Sequence, residues 1–83
     1  MSGQLARLNL QSKEYTGNQT FARNQNRGYF FIVMTVGTGT IRFGDGAGEV
    51  PLALNQFYEP YVCPTSEINV TTTGTFVLVT NAI

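Results

Sequence analysis

The chain has 83 residues, five basic and five acidic side chains, no histidine, one cysteine and no tryptophan. So short a chain forms one domain at most, and without histidine it has no imidazole for acid/base catalysis or metal binding. One cysteine excludes an internal disulfide and a cysteine zinc cluster, and the balanced charge gives no signal for nucleic acid or an anionic membrane. No stretch approaches the roughly 18 apolar residues that a membrane-spanning helix needs.

The first ten residues, MSGQLARLNL, allow two local structures. Alternation over 6–10 fits one short strand, whereas Leu5 and Leu8, which are three positions apart, also fit a helix over 4–10. The same stretch has no apolar signal-peptide core. We therefore interpret it as structural and expect the protein to be intracellular at synthesis.

An extended N-terminal arm is predicted over 1–27, because residues 11–27 show no sustained period and are rich in asparagine and glutamine. Tyr15 and Phe21 are expected to anchor this arm here and there. A segment that is amide-rich and weakly charged is expected to become ordered when it binds a partner.

A body of short strands is predicted over 28–83, where turn signals recur at regular intervals. The predicted strands lie at 29–36, 40–43, 50–54, 57–62, 67–71 and 75–80. Asp45-Gly46 is a good hairpin pair, and Pro51, which has no N–H to donate, predicts a strand at the edge of a sheet. The pattern is typical of an all-β fold, a small antiparallel β-sandwich or jelly-roll-like barrel.

The strand predicted at 29–36 is apolar on both faces, with Phe30 and Ile32 on one face and Phe31 and Val33 on the other. A body this small is marginally stable alone, and it has neither a disulfide nor a histidine metal site to support it. We therefore expect the second face to be covered, either in an oligomer interface or under the arm. The residues assigned to this interface are Tyr29, Phe31, Val33 and Tyr58.

The other chemistry-bearing residues favour structural roles, and no catalytic, cofactor-binding or metal-binding set is predicted. The glycine loops at 37–39 and 44–48 lack the following helix and the Gly-Lys pair of phosphate loops, so they are interpreted as turns. Asp45 and Glu49 have the oxygen ligands that calcium takes, but solvated turn carboxylates are the simpler interpretation. Cys63 is expected to be a buried structural thiol.

The aromatic segment FYEPY at 57–61 has two interpretations. In the first, Phe57 and Tyr61 belong to the core and Tyr58 lies at an interface. In the second, Tyr58 and Tyr61 join nearby amides in a surface on which a sugar or a receptor stacks.

The stretch GTGTIRFGDGAGEVPLALNQFYEPYVCPTSEINVTTTGTFVLVTN, residues 37–81, resembles small structural proteins of tailed bacteriophages. The shared features are a Gly-Thr strand, a Gly-Asp-Gly turn, a Pro-Leu edge strand, a Tyr-x-Pro segment and a Thr-Gly-Thr final strand. Some of those proteins decorate or cement capsids, so the resemblance implies a β-sandwich body, often trimeric, on the capsid shell. The sequence also resembles the short sheets of cupins, although the cupin metal histidines are missing.

The resemblance implies a non-enzymatic virion protein, a capsid decoration or cement subunit that stabilises the head shell. Its expected partners are the major capsid protein and further copies of itself, as a homotrimer, with no nucleic acid and no membrane. It would be made in the host cytoplasm and located at the capsid surface. The alternative is a carbohydrate- or receptor-binding module of a phage tail or fibre. The arm residues expected to contact the capsid are Arg7, Leu8, Leu10, Tyr15, Phe21, Arg23 and Arg27.

Overall fold

The computed structural model describes residues 9–46 and 48–81, and within these ranges the chain forms eight strands and no helix. The strands are β1 (Leu10–Thr16), β2 (Gln19–Phe21), β3 (Phe30–Val36), β4 (Gly39–Phe43), β5 (Val50–Leu52), β6 (Phe57–Tyr58), β7 (Ile68–Thr72) and β8 (Thr75–Asn81).

The strands form two four-stranded sheets that pack face to face. Sheet A has the order β1-β8-β3-β6, and sheet B has the order β2-β7-β4-β5. Every pairing between these strands is antiparallel. The predicted all-β sandwich is therefore confirmed, and Pro51 lies in β5 at the edge of sheet B, as its missing N–H predicts.

The core lies between the two sheets, because alternate residues of each strand point inward. In β3, for example, Phe30, Ile32 and Met34 are buried while Phe31 and Val33 are half-buried on the opposite face. The buried apolar residues are Phe30, Ile32, Met34, Ile41, Leu52, Ile68, Val70, Phe76 and Leu78. Both sheets contribute to this single cluster, as expected of a sandwich.

Residues 10–21 form strands of the sandwich, which departs from the extended arm predicted over 1–27. The strand β1 pairs with β8 along its whole length, from Leu10 opposite Asn81 to Thr16 opposite Thr75, and β2 pairs with β7. The sequence shows no period here because β1 is an edge strand of which only Tyr15 is sheltered from solvent. The strand and helix alternatives before Leu10 fall almost entirely outside the described residues.

Three tight connections cross between the sheets at one end of the sandwich, which we call the closed end. They lie at residues 17–18, 37–38 and 73–74. Gly17 N donates to Gly74 O (3.0 Å), and Thr72 N donates to Asn18 Oδ1 (2.9 Å). The hydroxyl of Thr72 donates to Thr38 O (2.8 Å) and accepts from Gly74 N (2.9 Å). The side chains of Asn18 and Thr72 thus satisfy main-chain groups at these turns.

The last residue of β8, Asn81, ties the opposite, open end of the sandwich together. Its Oδ1 accepts from Gly28 N (2.7 Å) and Tyr29 N (3.2 Å), and its Nδ2 donates to Asn26 O (3.0 Å). The side chain is buried. It therefore replaces water for three main-chain groups of the loop that leads into β3.

Replacing Asn81 should loosen that loop. We expect Asn81→Leu to lower the free energy of unfolding by about 2 kcal/mol, because it leaves three main-chain groups without a partner. Asn81→Asp keeps the acceptor and loses only the donor, so its cost should be about half as large. Urea denaturation of the two variants measures both values, and an Asn81→Leu variant as stable as the parent chain would contradict this role.

Candidate functional site

The outer face of sheet A, which points away from sheet B, carries an apolar strip. We define the strip by five side chains, Phe31, Val33, Phe57, Val77 and Val79. Phe31 lies opposite Val79 and Val33 lies opposite Val77, while Phe57 lies opposite Val33 on its other side. The rings of Phe31 and Phe57 stack with centroids 5.2 Å apart. Cross-strand pairing thus makes the strip continuous over three strands.

Polar side chains border the strip. On β1, Ser12 lies opposite Val79 and Glu14 lies opposite Val77. At the closed end the Thr35 hydroxyl donates to Thr75 O (3.2 Å). An apolar centre with a polar rim is the usual anatomy of a protein–protein interface.

Phe57 is the most exposed member of the strip, with 64% of its surface accessible. Exposed aromatic side chains that sit beside other apolar residues mark interaction surfaces and frequently dominate their binding energy. The outer face of sheet A is therefore a candidate interface rather than a solvated sheet face.

The predicted interface residues divide between the strip and other surfaces. Phe31 and Val33 belong to the strip, but Tyr58 points inward and packs beside Phe43, with ring centroids 6.3 Å apart. Phe57, which was predicted in the core, is thus exposed, and Tyr58, which was predicted at an interface, is half-buried against the core. The reason is register, since β6 places Phe57 opposite Val33 and Tyr58 opposite the buried Ile32.

Tyr29 lies off the strip, beside the loop that follows β6. Its hydroxyl donates to Glu59 Oε2. That hydrogen bond is the main cause that raises the pKa of the Tyr29 hydroxyl, with burial and the Glu59 charge adding to it. Tyr61, which was predicted in the core, is fully exposed in the same loop, and Val62 is also exposed.

The residues assigned to a capsid-binding arm also fall in different places. Arg7 and Leu8 lie outside the described residues, whereas Leu10 and Arg23 are exposed. Tyr15 and Phe21 pack against the core, in edge-to-face contact with centroids 5.1 Å apart. These two half-buried rings therefore contribute to the packing of the sandwich, and their assignment to a capsid contact stays a prediction.

Arg27, which was also assigned to a capsid contact, is instead buried and bonded within the chain. Its Nη1 donates to Pro64 O (2.7 Å) and Ser66 O (3.1 Å), and its Nη2 donates to Ala22 O (3.0 Å). Burial lowers the pKa of the guanidinium, and the nearby Cys63 opposes that shift. Arg27 thus joins two loops that are far apart in sequence.

Cys63 is half-buried beside Arg27, and its Sγ donates to Arg27 O (3.4 Å). Burial raises the pKa of this thiol, and the charge of Arg27 partly offsets the increase. A thiol that stays protonated at neutral pH is a weak nucleophile. The surroundings of Cys63 therefore suit a structural side chain.

Residues 9–46 and 48–81, which the structure describes, hold neither a metal-ligand cluster nor a membrane-spanning helix. No group of three or more His, Cys, Asp or Glu side chains in these ranges lies close enough to hold a metal ion. No helix there is long and apolar enough to cross a membrane.

The architecture is that of a small two-sheet β-sandwich, and a solved structure has a similar fold. The chain is similar to an RmlC-like cupin protein from Desulfovibrio desulfuricans, with a TM-score of 0.61 and 24% identity over 92% of this chain and 74% of that chain. This likeness shows the fold alone. A regulatory domain of Toxoplasma gondii PKA, solved with cAMP, gives a TM-score of 0.38 at 17% identity over 87% of this chain and 31% of that chain. The second likeness is too weak to carry an argument.

No protein-family model and no curated protein matches the sequence. The likeness to the cupin protein is a likeness of fold. Because the chain contains no histidine, its residues do not fit an imidazole-ligated metal, and we derive no metal chemistry from the fold.

Proposed function

We propose that the protein is a non-enzymatic structural subunit that assembles with copies of itself and decorates or cements a phage capsid. The observation that carries self-association is the apolar strip on the outer face of sheet A. The resemblance of residues 37–81 to small phage structural proteins supplies the capsid as the place of assembly.

A second copy of the chain is the partner that the strip fits best. The strip itself carries no charge, and the whole chain has a net charge of zero, so copies do not repel one another. Strands β1 and β2 lie beside and opposite the strip rather than over it. In the proposed homotrimer the three strips meet around the symmetry axis, which buries Phe57 and removes the exposed apolar face.

The major capsid protein is the second proposed partner. The loop between β6 and β7 carries two exposed apolar side chains, Tyr61 at 104% and Val62 at 74% relative accessibility. A tyrosine on a projecting loop is a common anchor for a protein surface. We assign the shell contact to this loop, with many copies giving the avidity that one weak contact lacks.

The test inserts one charge into the strip and one into a matched polar position. Val33→Lys places a cation in the centre of the strip, whereas Thr40→Lys places it on β4, where Thr40 is equally half-buried. We expect Val33→Lys to be a monomer that no longer sediments with purified tailed-phage heads. Thr40→Lys should keep the parent oligomer and its sedimentation, because its position is outside the strip.

The two outcomes of this test are clearly separated. A Val33→Lys variant that is folded by circular dichroism and retains the parent mass would contradict self-association through the strip. An oligomer that does not sediment with phage heads would leave self-association intact and contradict the capsid assignment.

A carbohydrate-binding module is the second candidate, and one observation favours it. The exposed Tyr61 ring lies in the same loop as the Glu59 carboxylate, which Tyr29 holds in place. A ring face beside a fixed acceptor suits a sugar with adjacent hydroxyls. Glycan-array binding by the parent chain that Tyr61→Ala abolishes would favour this candidate. An array with no signal would favour the structural role.

A further inference from the structure

A cleft of about 420 Å³ opens between the two sheets, on the side where β1 and β2 form their outer edges. It lies away from the apolar strip, which is on the other face of sheet A. Its lining is mixed: Tyr15, Phe21, Phe30, Ile68 and Leu78 supply the apolar walls, and polar groups form about as much of the surface. Cavities of roughly 300–1,000 Å³ with apolar walls and a few polar groups are the usual sites for small ligands.

Cationic groups gather around this cleft. Exposed Arg23 and buried Arg27 line it, and Lys13 Nζ lies 5.6 Å from the centre of the Tyr15 ring that forms one wall. These are three of the five basic residues of the chain, and none of the residues that line the cleft is acidic. The charged side chains that line the cleft are therefore all cationic, whereas Asp45 and Glu67 lie with Arg23 around the neighbouring pocket.

Arg27 adds a second, independent observation. The residue as a whole is 8% exposed, and its guanidinium donates hydrogen bonds to three neutral carbonyl oxygens. A buried cation that has only dipoles as partners is costly, and burial accordingly lowers its pKa. An anion in the adjacent cleft would offset that cost.

We propose that this cleft binds a small organic anion, a carboxylate with an aromatic or branched apolar body. The apolar body lies between Phe21 and Leu78, and the carboxylate meets Arg23 at the mouth with the positive charge of Arg27 behind it. Thr20, Asn24 and Thr80 also line the cleft and supply polar contacts at its rim. This ligand site is independent of the proposed structural role, since it uses no residue of the strip.

Phenylacetate is the probe, and phenylacetamide, which has the same shape without the charge, is its control. Titration of the isotope-labelled full chain, followed by amide NMR shifts, should give saturable changes at residues 21–24, Arg27 and Thr80. We expect phenylacetamide to bind at least about tenfold more weakly, because a charge-assisted contact is lost.

Two variants that each replace one arginine by glutamine test where the ligand binds. Arg23→Gln should weaken phenylacetate binding about tenfold, whereas Arg42→Gln, which does not line the cleft, should leave it unchanged. Equal binding of the acid and the amide, equal effects of the two variants, shifts confined to the strip, or the absence of saturable shifts would each overturn the proposal. None of these results bears on the oligomeric mass, so the failure of this inference and that of the proposed function are distinguishable.

Discussion

Gly74→Ala should destabilise the protein by at least about 3 kcal/mol, a larger effect than any other single methyl group that we would add. A Cβ at this position would overlap the carbonyl oxygen of Val36 and lie 2.8 Å from the carbonyl carbon of the same residue. Both atoms belong to the main chain, so no side chain can rotate away. The closed end would have to separate, and the bond from Gly17 N to Gly74 O would be lost with it.

Two other glycines serve as controls for Gly74→Ala in the same urea denaturation series. A Cβ on Gly48 meets nothing within 4 Å, so Gly48→Ala should change stability by less than about 0.5 kcal/mol. Gly17 has equally open surroundings but a φ of +82°, so Gly17→Ala should cost about 1 kcal/mol through backbone strain alone. If Gly74→Ala were no worse than Gly17→Ala, the close packing of the closed end would be disproved.

Arg27→Met should lower the free energy of unfolding by about 3 kcal/mol. The variant keeps most of the apolar stem but leaves the carbonyl groups of Ala22, Pro64 and Ser66 without their donors. Each buried acceptor that loses its partner costs roughly 1–3 kcal/mol, and the relief from burying a charge offsets part of the sum. Arg27→Lys keeps a cation but cannot reach three carbonyl groups at once, so its cost should be smaller.

The matched control for Arg27→Met is Arg23→Met, an equal change at an exposed position four residues earlier. We expect it to alter stability by less than about 0.5 kcal/mol. Thermal and urea unfolding of the two variants measures the difference. Equal stabilities of Arg27→Met and Arg23→Met would contradict the structural role of Arg27.

The strands of the body could be predicted because their local patterns agree with their final environments. The run 29–36 contains alternate positions that face the core, and Thr75–Asn81 repeats this arrangement in β8. Pro51 marked its own strand as an edge strand because the constraint, a missing N–H, is local. A structural feature that depends on a property of one residue, such as this missing N–H, can be predicted from the sequence.

The N-terminal strands could not be predicted because β1 draws its stability from pairing rather than from a buried face. Of its residues only Tyr15 packs on the core. The hydrogen bonds that make it a strand come from β8, at the other end of the described chain, where Leu10 lies opposite Asn81 and Thr16 lies opposite Thr75. The hydrophobic periodicity of a segment does not show which distant strand it pairs with.

The residues of the candidate interface were predicted only in part. Phe31 and Val33 were identified because a strand that is apolar on both faces is expected to be buried on both. Val77 and Val79 were missed, although the alternation of β8 offered the same signal. The orientation of Phe57 depends on the register between β3 and β6, which a two-residue strand does not fix from its own sequence.

We propose that the apolar strip, which consists of Phe31, Val33, Phe57, Val77 and Val79, is an interface between copies of this chain. Light scattering at several concentrations gives the mass of the purified chain directly. We predict a closed oligomer, a trimer, whose mass is constant over the concentration range. A folded protein with the mass of one chain at every concentration would contradict the claim.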